Sequence, residues 1–350
     1  MTSDRPDGGA GRTVSLVIAV LLLQMGFILS YIGAFHAVRP HQVPVAVVAP
    51  AQAVPRLAAG LNAIAGQPVQ AVPVASQAAA AARVRHDQDA AAFIVNPAGT
   101  NDTLLVASGG GASVVTAVAQ VAVQADAARH RTVTVRDLVP LQPGDGRGLT
   151  GFYLVIGWIV GGYLVAALLG VAKGPRPATA RLAVIRLLAI AAYAVASGLG
   201  GALIVDQGLG ALTGHFVALW WLGTLLVFAA ATVTMAFQVL LGVLGIGLTV
   251  LIFVVLGNPS AGGAYQADLL PPFWRAISSA LPNGAGTDAV RRIVYFAGQG
   301  ITGHLAVIAA YAAAGIALTV VVCAVREPHG RHSAPARGRR EASVRHARCA

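Results

Sequence analysis

The sequence predicts an α-helical polytopic membrane protein with about six transmembrane helices and a small extracytoplasmic α/β domain inserted between helices 1 and 2. Hydrophobic residues make up 56% of its 350 residues and charged residues only 11%, whereas soluble domains carry about 25% charged residues. Uncharged runs of about 20 residues recur along the chain, and such a run crosses a hydrocarbon core of roughly 30 Å. Both observations favour a chain that is embedded in lipid.

The first apolar run, residues 14–35, follows two arginines. A secretory signal peptide has a shorter apolar region and small residues at its cleavage site. This run instead leads directly into Phe35 and His36. We therefore interpret it as an uncleaved transmembrane helix that follows a cytoplasmic tail of residues 1–13.

Five further spans are expected in a membrane domain of residues 151–325. Three of them are single apolar runs, at residues 151–172, 182–205 and 303–325. Residues 216–256 carry no charge, and as one helix this run would be roughly 60 Å long, twice what a bilayer requires. It is therefore expected to hold two spans, and the polar cluster of Thr232, Thr234 and Gln238 predicts the break between them.

The distribution of cations predicts the orientation of these spans. Arginine supplies nearly all positive charge, because Lys173 is the only lysine. Short cytoplasmic flanks are enriched in arginine and lysine, and long translocated domains carry little weight in this rule. Six spans place the N-terminal tail, the 173–186 connection and the basic tail of residues 326–350 in the cytoplasm. The expected location is the cell membrane, with both termini cytoplasmic and residues 36–150 extracytoplasmic.

Residues 36–150 predict the α/β domain, since short β-branched runs alternate with helical runs. The expected strands are residues 43–49, 69–74, 93–95, 104–107 and 132–135, and the expected helices are residues 56–65, 77–86 and 112–130. Ser76 is the expected N-cap of the second helix. Strands that are connected by helices imply a partly parallel sheet. The only cysteines, Cys323 and Cys349, lie outside this domain, so we expect packing rather than disulfides to hold it.

A polar outer loop of residues 257–302 separates the last two spans. The glycine-rich sequence that begins at Gly257 is expected to end the fifth span abruptly. An amphipathic helix over residues 269–281 should follow, with Trp274 at the headgroup boundary. A second short helix is expected from an N-cap at Thr287 to Phe296.

Four segments of the sequence resemble one bacterial family. The most specific is GNPSAGGAYQADLLPPFWRAISSALPNGAGTDAVRRIVYF at residues 257–296, and VPVAVVAP, RDLVPLQPGDGRG and LLGVLGIGLTVLIFVVLGNP precede or enter it in the same order. They are similar to segments of the YhgE/Pip (phage infection protein) group, membrane proteins related to ABC-2 type transporter permeases. The resemblance implies an N-terminal span, an outer domain and a five-helix permease-like domain. It also implies a homodimer that works with a separate ABC ATPase.

The function expected from this resemblance is an ABC-2 exporter-like permease subunit that moves an amphiphilic or envelope-related substrate across the cytoplasmic membrane. The chain has no GxxxxGK[ST] phosphate loop, so we expect a separate ATPase to supply the energy and this chain not to be an enzyme. Its 13 acidic residues lie in tails, loops, the outer domain or span ends, which argues against a proton antiporter. The alternative is a non-transporting envelope scaffold or receptor that acts through its outer domain.

Two groups of residues are the candidate sites of this function. The candidate ATPase contact is the basic connection that holds Lys173, Arg176, Arg181 and Arg186. The candidate outer-mouth or interface residues are Asp206, His215, Trp274, Arg275, Asp288 and His304.

Three other motifs have simpler interpretations that we favour. The glycines at residues 109–111 suit an anion-binding helix start, but no second phosphate-binding feature accompanies them, and a flexible turn is favoured. His86, Asp87 and Asp89 point in different directions on a helix, so a solvated helix end is favoured over a metal site. Residues 143–148, PGDGRG, are interpreted as a hinge into the second span. We therefore expect neither a metal nor a cofactor.

The expected partners are membrane lipids and protein, not nucleic acid. Although the formal charge is +11, the arginines do not form a basic face with interleaved aromatic residues. The arginine-rich tail suits either binding to anionic lipids or a disordered role in fixing topology. Small residues permit close helix contact, either within one bundle or between two copies of the chain. These are Gly157, Gly161, Gly162, Gly198, Gly200 and Gly201.

Overall fold

The computed structural model describes residues 7–326. It has five helices that are long and apolar enough to cross a membrane, at Thr13–Phe35, Thr150–Lys173, Ala180–Gly208, Phe216–Leu241 and Thr302–Arg326. The prediction of a helical membrane protein agrees with this architecture. Residues 1–6 of the predicted N-terminal tail and residues 327–350 of the predicted C-terminal tail lie outside the described residues.

The α/β domain follows helix α1 (Asp7–Phe35). Its strands are β1 (Val43–Val48), β2 (Val69–Pro73), β3 (Ala91–Ile94), β4 (Asn101–Val106) and β5 (Thr132–Asp137). They form one sheet in the order β2-β1-β3-β4-β5, in which only β3 and β4 pair antiparallel. The sheet is therefore partly parallel, as the alternation of strands and helices predicts.

Three helices cover the two faces of this sheet: α2 (Val54–Asn62), α3 (Gln77–Arg85) and α4 (Ala112–Ala127). The apolar core on one face is shared with α2 and α4, and the core on the other face is shared with α3. Ser76 caps α3 as predicted, because its hydroxyl accepts the Ala79 N–H at 3.2 Å. Phe296, from the far end of the chain, completes the α3 face.

The membrane bundle is built around α7 (Phe216–Leu241), which packs against α5 (Thr150–Lys173), α6 (Ala180–Ala202) and α11 (Thr302–Arg326). A widened helical turn, Leu203–Gly208, extends α6. Close approach depends on glycine, since a Cβ on Gly162 would lie 2.4 Å from the Val227 carbonyl oxygen. Gly161, Gly198 and Gly201 also pack within the bundle, whereas no atom lies within 4 Å of a Cβ built on Gly157 or Gly200.

The predicted break at Thr232, Thr234 and Gln238 is wrong, because α7 runs through these residues without interruption. The two threonine hydroxyls donate to carbonyls of their own helix, at 3.1 and 2.7 Å. Their hydrogen-bonding capacity is therefore satisfied without an end to the helix at this point. The chain reverses instead at Gly242, whose φ of 65° is readily adopted only by glycine. The shorter apolar helix α8, Leu244–Ser260, then returns beside α7. The total of six spans remains a prediction.

The helix α8 ends at Ser260, inside the glycine-rich sequence that is expected to end the fifth span. Pro259 has no N–H to give to the Val255 carbonyl, which would ordinarily break the helix. The hydroxyl of the buried Ser30 in α1 donates to that carbonyl instead. This hydrogen bond helps the helix to tolerate proline and joins α1 to α8.

Prolines also move the boundaries of the two short helices that follow. The helix expected over residues 269–281 is reduced to α9 (Pro272–Ser278), since consecutive prolines favour a helix start there. The next helix, α10 (Pro282–Tyr295), begins at a proline, and Thr287 lies inside it. The expected N-cap at Thr287 is therefore wrong, and its hydroxyl donates to the Asn283 carbonyl at 2.9 Å.

We expect Gly245→Ala to destabilise the protein, because the new Cβ would lie 2.4 Å from the Phe237 carbonyl group. Backbone cannot move aside cheaply, so the loss should be at least about 1–3 kcal/mol. Gly247→Ala is the matched control in the same helix, with no atom within 4 Å. Thermal unfolding in detergent should show a lower midpoint for the first variant only, and equal midpoints would contradict the hairpin packing.

Candidate functional site at the domain junction

The α/β domain is fastened to residues 257–302, the predicted outer loop, by contacts between distant parts of the chain; these residues are termed the outer-loop segment. Gln266 occupies the start of α4, where its side-chain oxygen accepts from the Ser113 hydroxyl and from the Val114 N–H, the latter at 3.3 Å. The N–H groups of Arg39 and His41 donate to carbonyls of residues 268–269, each at 3.1 Å. The domain is thus held by side-chain and backbone hydrogen bonds together.

A buried carboxylate completes this attachment. Asp145 is only 3% exposed, and its two oxygens accept from the Thr150 N–H at 2.9 Å and from the Tyr295 hydroxyl at 2.8 Å. Burial, together with the charge of Asp145, raises the pKa of Tyr295, so the phenol remains a donor. The hinge expected at residues 143–148 is therefore a fixed joint between the domain, α5 and α10.

The glycines at residues 109–111 serve packing at this joint. A Cβ on Gly109 would lie 2.6 Å from the Tyr295 ring, and one on Gly111 would lie 2.4 Å from the Gln266 side chain. The chain forms a tight turn at these glycines, and close contact is what excludes side chains from it. The alternative anion site at the start of α4 is already filled by Gln266.

A polar cleft of about 270 Å³ remains between the domain and the outer-loop segment. Four carboxylates and two guanidinium groups line it: Asp87, Asp89, Asp268, Asp288, Arg291 and Arg292. The described lining contains no serine, threonine, cysteine or histidine. It therefore offers charge and hydrogen bonds to a polar ligand, and the described lining has no hydroxyl, thiol or imidazole nucleophile.

One ion pair crosses the cleft, and a second lies within α10. Arg292 contacts Asp87 at 2.8 Å, and its Nε donates to the His304 Nε2 at 3.2 Å. Arg291 pairs with Asp288 at 3.1 Å and donates to a backbone carbonyl of the outer-loop segment. The pair between Asp87 and Arg292 is the one that links the α/β domain to α10.

Burial raises the pKa values of two carboxyl groups in the cleft. It raises the pKa of Asp87 to about 6, against the opposing charge of Arg292. It also raises the pKa of Asp268, against the opposing charge of Arg275. A carboxylate that titrates near neutral pH in a cleft is a common feature of functional sites, which makes this cleft the candidate site.

The structure brings together only some of the predicted outer-mouth residues. Asp288 lines the cleft, and His304 contacts it through Arg292. Asp206 and His215 lie on the connection between α6 and α7 and do not line it. Trp274 was expected at the headgroup boundary, but it is 8% exposed and packs against Ala34 and Leu270.

The predicted solvated helix end at His86, Asp87 and Asp89 is correct only for His86, which is exposed. Asp89 is 2% exposed and pairs with Arg83, and Asp87 belongs to the cleft. Within residues 7–326, no three histidine, cysteine or acidic side chains are arranged to hold a metal ion.

The basic connection between α5 and α6 is shaped by hydrogen bonds to helix ends. Arg186 donates to the Gly174 and Lys173 carbonyls, each at 2.8 Å. Arg176 donates to the last carbonyls of α7, at 3.1 and 3.3 Å, which helix C-termini otherwise leave unsatisfied. The side chains of Lys173 and Arg181 are exposed, so these two are the cations best placed for a partner.

Sequence reasoning missed Gln266, Tyr295, Arg291 and Arg292 as site residues. Each acts on a part of the chain that is distant in sequence, as in the separation of 153 residues between Ser113 and Gln266. The unusual density of polar groups in the loop was the only local signal. Comparison with protein-family models, curated proteins and solved structures finds no match to this chain. The fold and cleft define a helical membrane protein with a tightly attached α/β domain.

We expect Tyr295→Phe to destabilise the domain junction, because it leaves a buried Asp145 oxygen without its donor. A lost hydrogen bond to a buried charged group costs about 1.5–3 kcal/mol. The control is Tyr153→Phe, which removes a hydroxyl from a side chain that is 63% exposed. Limited proteolysis of the α/β domain should accelerate in the first variant alone, and equal rates would contradict the role of Asp145.

We expect the contribution of Asp87 to stability to rise as the pH falls from about 7 to 4. Its folded-state pKa, about 6, exceeds the ordinary 3.8, so in this window the folded protein binds the proton more tightly than the unfolded chain. Asp87→Asn should therefore reduce the change in the free energy of unfolding between pH 7 and 4 by about 1–2 kcal/mol, a value that allows for partial exposure. Asp206→Asn is the control, and parallel curves for wild type and Asp87→Asn would refute this assignment.

Proposed function

We propose that this chain is the membrane subunit of an ABC-2-type exporter that moves an amphiphilic or envelope-related substrate outward and takes its energy from a separate ATPase. In this proposal α8 is the sixth span and the α/β domain is extracytoplasmic. At 1.5 Å per residue α8 is roughly 25 Å long, which suffices for a thin or locally compressed bilayer.

The positions of the connections and of several arginines at one end of the bundle support this orientation. Arg176 and Arg326 both donate to the Val239 carbonyl near the end of α7, so the α5–α6 connection, the Gly242 turn and the end of α11 lie together. The α/β domain contacts α10 and the outer-loop segment at the other end. Arg176, Arg186 and Arg326 thus lie at the end expected to face the cytoplasm.

The observation that carries the proposal is the form of the α5–α6 connection. Arg176 and Arg186 hold its shape through four hydrogen bonds to carbonyls, and Lys173 and Arg181 remain exposed on it. A short, fixed, basic projection suits docking on an acidic surface of a soluble partner. An ATPase that drives the bundle from the cytoplasm would require such a contact.

The bundle also offers a groove suited to an amphiphile. A space of about 540 Å³ lies between α5 and α6, lined mainly by apolar groups that include Tyr153, Leu154 and Ile204. Gly157 and Gly200 open onto it. We assign it to the acyl chain of the substrate, because it combines an apolar lining with hydroxyl groups of Thr150 and Ser197.

Above this groove, α10 fills the domain-side end of the bundle. A Cβ on Gly286 would lie 2.9 Å from Leu226 of α7 and 3.0 Å from Val155 of α5. Tyr295 and Arg292 also connect α10 to the α/β domain. Outward movement of substrate would therefore displace α10 and the α/β domain together.

A second candidate function is a non-transporting scaffold or receptor. The firm attachment of the α/β domain and its polar cleft favour it, because neither feature requires a transport cycle. It predicts that the protein works without an ATPase.

Affinity purification of the tagged protein in mild detergent separates the two candidates. The exporter proposal expects a stoichiometric nucleotide-binding protein and ATPase activity in the eluate. Lys173→Glu with Arg181→Glu should abolish the association, whereas Arg85→Glu with Arg136→Glu, two exposed arginines of the α/β domain, should preserve it. Arg176→Glu is unsuitable, because it would also remove hydrogen bonds to α7. Absence of any ATPase under conditions that retain membrane complexes would favour the scaffold instead.

A further inference from the structure

The sheet of the α/β domain has a second, open edge opposite the junction. The N-terminal ends of β1 and β3 face the cleft at Pro44 and Ala90, so their carboxyl ends lie at the far edge. After β1 the chain passes through α2 to β2, which lies on one side of the β1–β3 pair. After β3 it passes to β4, which lies on the other side of that pair. Ligands of open α/β sheets bind where such connections diverge, outside the carboxyl ends of the strands.

A crevice of about 480 Å³ lies at this point. It is formed by the start of α2, by Val95 after β3, and by polar residues near the start of β4 and β5. Three arginines line it, Arg56, Arg129 and Arg131, against one carboxylate, Asp102. The amino end of α2 adds partial positive charge beside them.

Arg131 is held in a fixed orientation. Its Nε donates to Asp102 at 2.8 Å and its Nη2 donates to the Asn96 carbonyl at 2.8 Å. Asp102 is itself 1% exposed and accepts the Asn96 N–H at 2.7 Å. No hydrogen bond of Nη1 is found within the described residues, and the side chain of Arg131 is 22% exposed. A guanidinium held through Nε and Nη2 presents its Nη1 N–H groups to an oxyanion.

A buried carboxylate lies behind this pair. Asp126 of α4 is 0% exposed, and neither of its oxygens has a hydrogen-bond partner among the described residues. Burial and the neighbouring charge of Asp102 raise the pKa of Asp126 to about 6, against Arg129 and Arg131. An unpaired buried acid costs stability, and a structural salt bridge between Arg131 and Asp102 does not require it. Its protonation would make the crevice more positive.

We propose that this crevice binds a small soluble anion through its phosphate, sulfate or carboxylate oxygens. Arg131 is the fixed anchor, and the exposed side chains of Arg56 and Arg129 close over the ligand. The six-residue strand β1 separates this edge from the junction by roughly 20 Å, so the crevice faces away from the bundle. This position favours a dissolved anion over a lipid headgroup. The proposal does not depend on the exporter function.

Calorimetric titration of the full-length protein in detergent tests the proposal, with sulfate and citrate as separate probes at constant ionic strength. Saturable binding is expected, and Arg56→Gln with Arg129→Gln should weaken it at least about tenfold. The control, Arg85→Gln with Arg136→Gln, removes the same charge from exposed positions outside the crevice and should bind normally. Absence of saturable binding, or an equal loss in the control, overturns the proposal.

The pH dependence gives a second readout that a merely structural ion pair would not produce. Sulfate keeps its charge between pH 7.5 and about 5, so tighter binding at the lower pH is expected from protonation of Asp126 near its pKa of about 6. Asp126→Asn should bind sulfate more tightly at pH 7.5 and abolish the pH dependence. An unchanged pH dependence in that variant would count against the assigned role of Asp126. Repeating the titration in nanodiscs of neutral and of anionic lipid distinguishes the source of the anion, since competition by anionic lipid would overturn the soluble ligand.

Discussion

The hydrogen bond from the Tyr295 hydroxyl to the Asp145 carboxylate is the interaction on which the arrangement of the two parts depends. Asp145 lies in the connection from the α/β domain to α5, and its other oxygen accepts the Thr150 N–H at the start of α5. A carboxylate buried among helix ends needs donors, because an unpaired buried charge costs several kcal/mol. Satisfying this one group therefore fixes the domain, α5 and α10 relative to one another.

The same requirement governs polar groups throughout the bundle. Ser30 supplies a donor to the carbonyl that Pro259 cannot serve, and Arg176 and Arg186 satisfy carbonyls at helix ends. In a lipid environment water is not available to replace these partners. Some cations near helix ends therefore donate to backbone carbonyls, and others, such as Lys173 and Arg181, remain exposed.

The two edges of the sheet differ in what covers them and in their charge. The edge at the junction is filled by the outer-loop segment, whose charges pair across the cleft and whose Phe296 enters the domain core. The opposite edge is left uncovered and basic, with Arg131 oriented by Asp102.

Local patterns in the sequence determined the helical membrane class and the approximate bounds of α5, α6 and α11, because hydropathy over about 20 residues reports directly on burial in lipid. Strand positions and the Ser76 cap also followed, since alternation and capping depend on neighbours in sequence. The tertiary structure alone decided the turn at Gly242, the role of the glycines at residues 109–111 and the composition of the cleft. Threonine hydroxyls can bond within their own helix, and the ion pair across the cleft joins residues about 200 positions apart. No local window contains such partners, so only the folded chain reveals which polar residues are satisfied and which remain free to act.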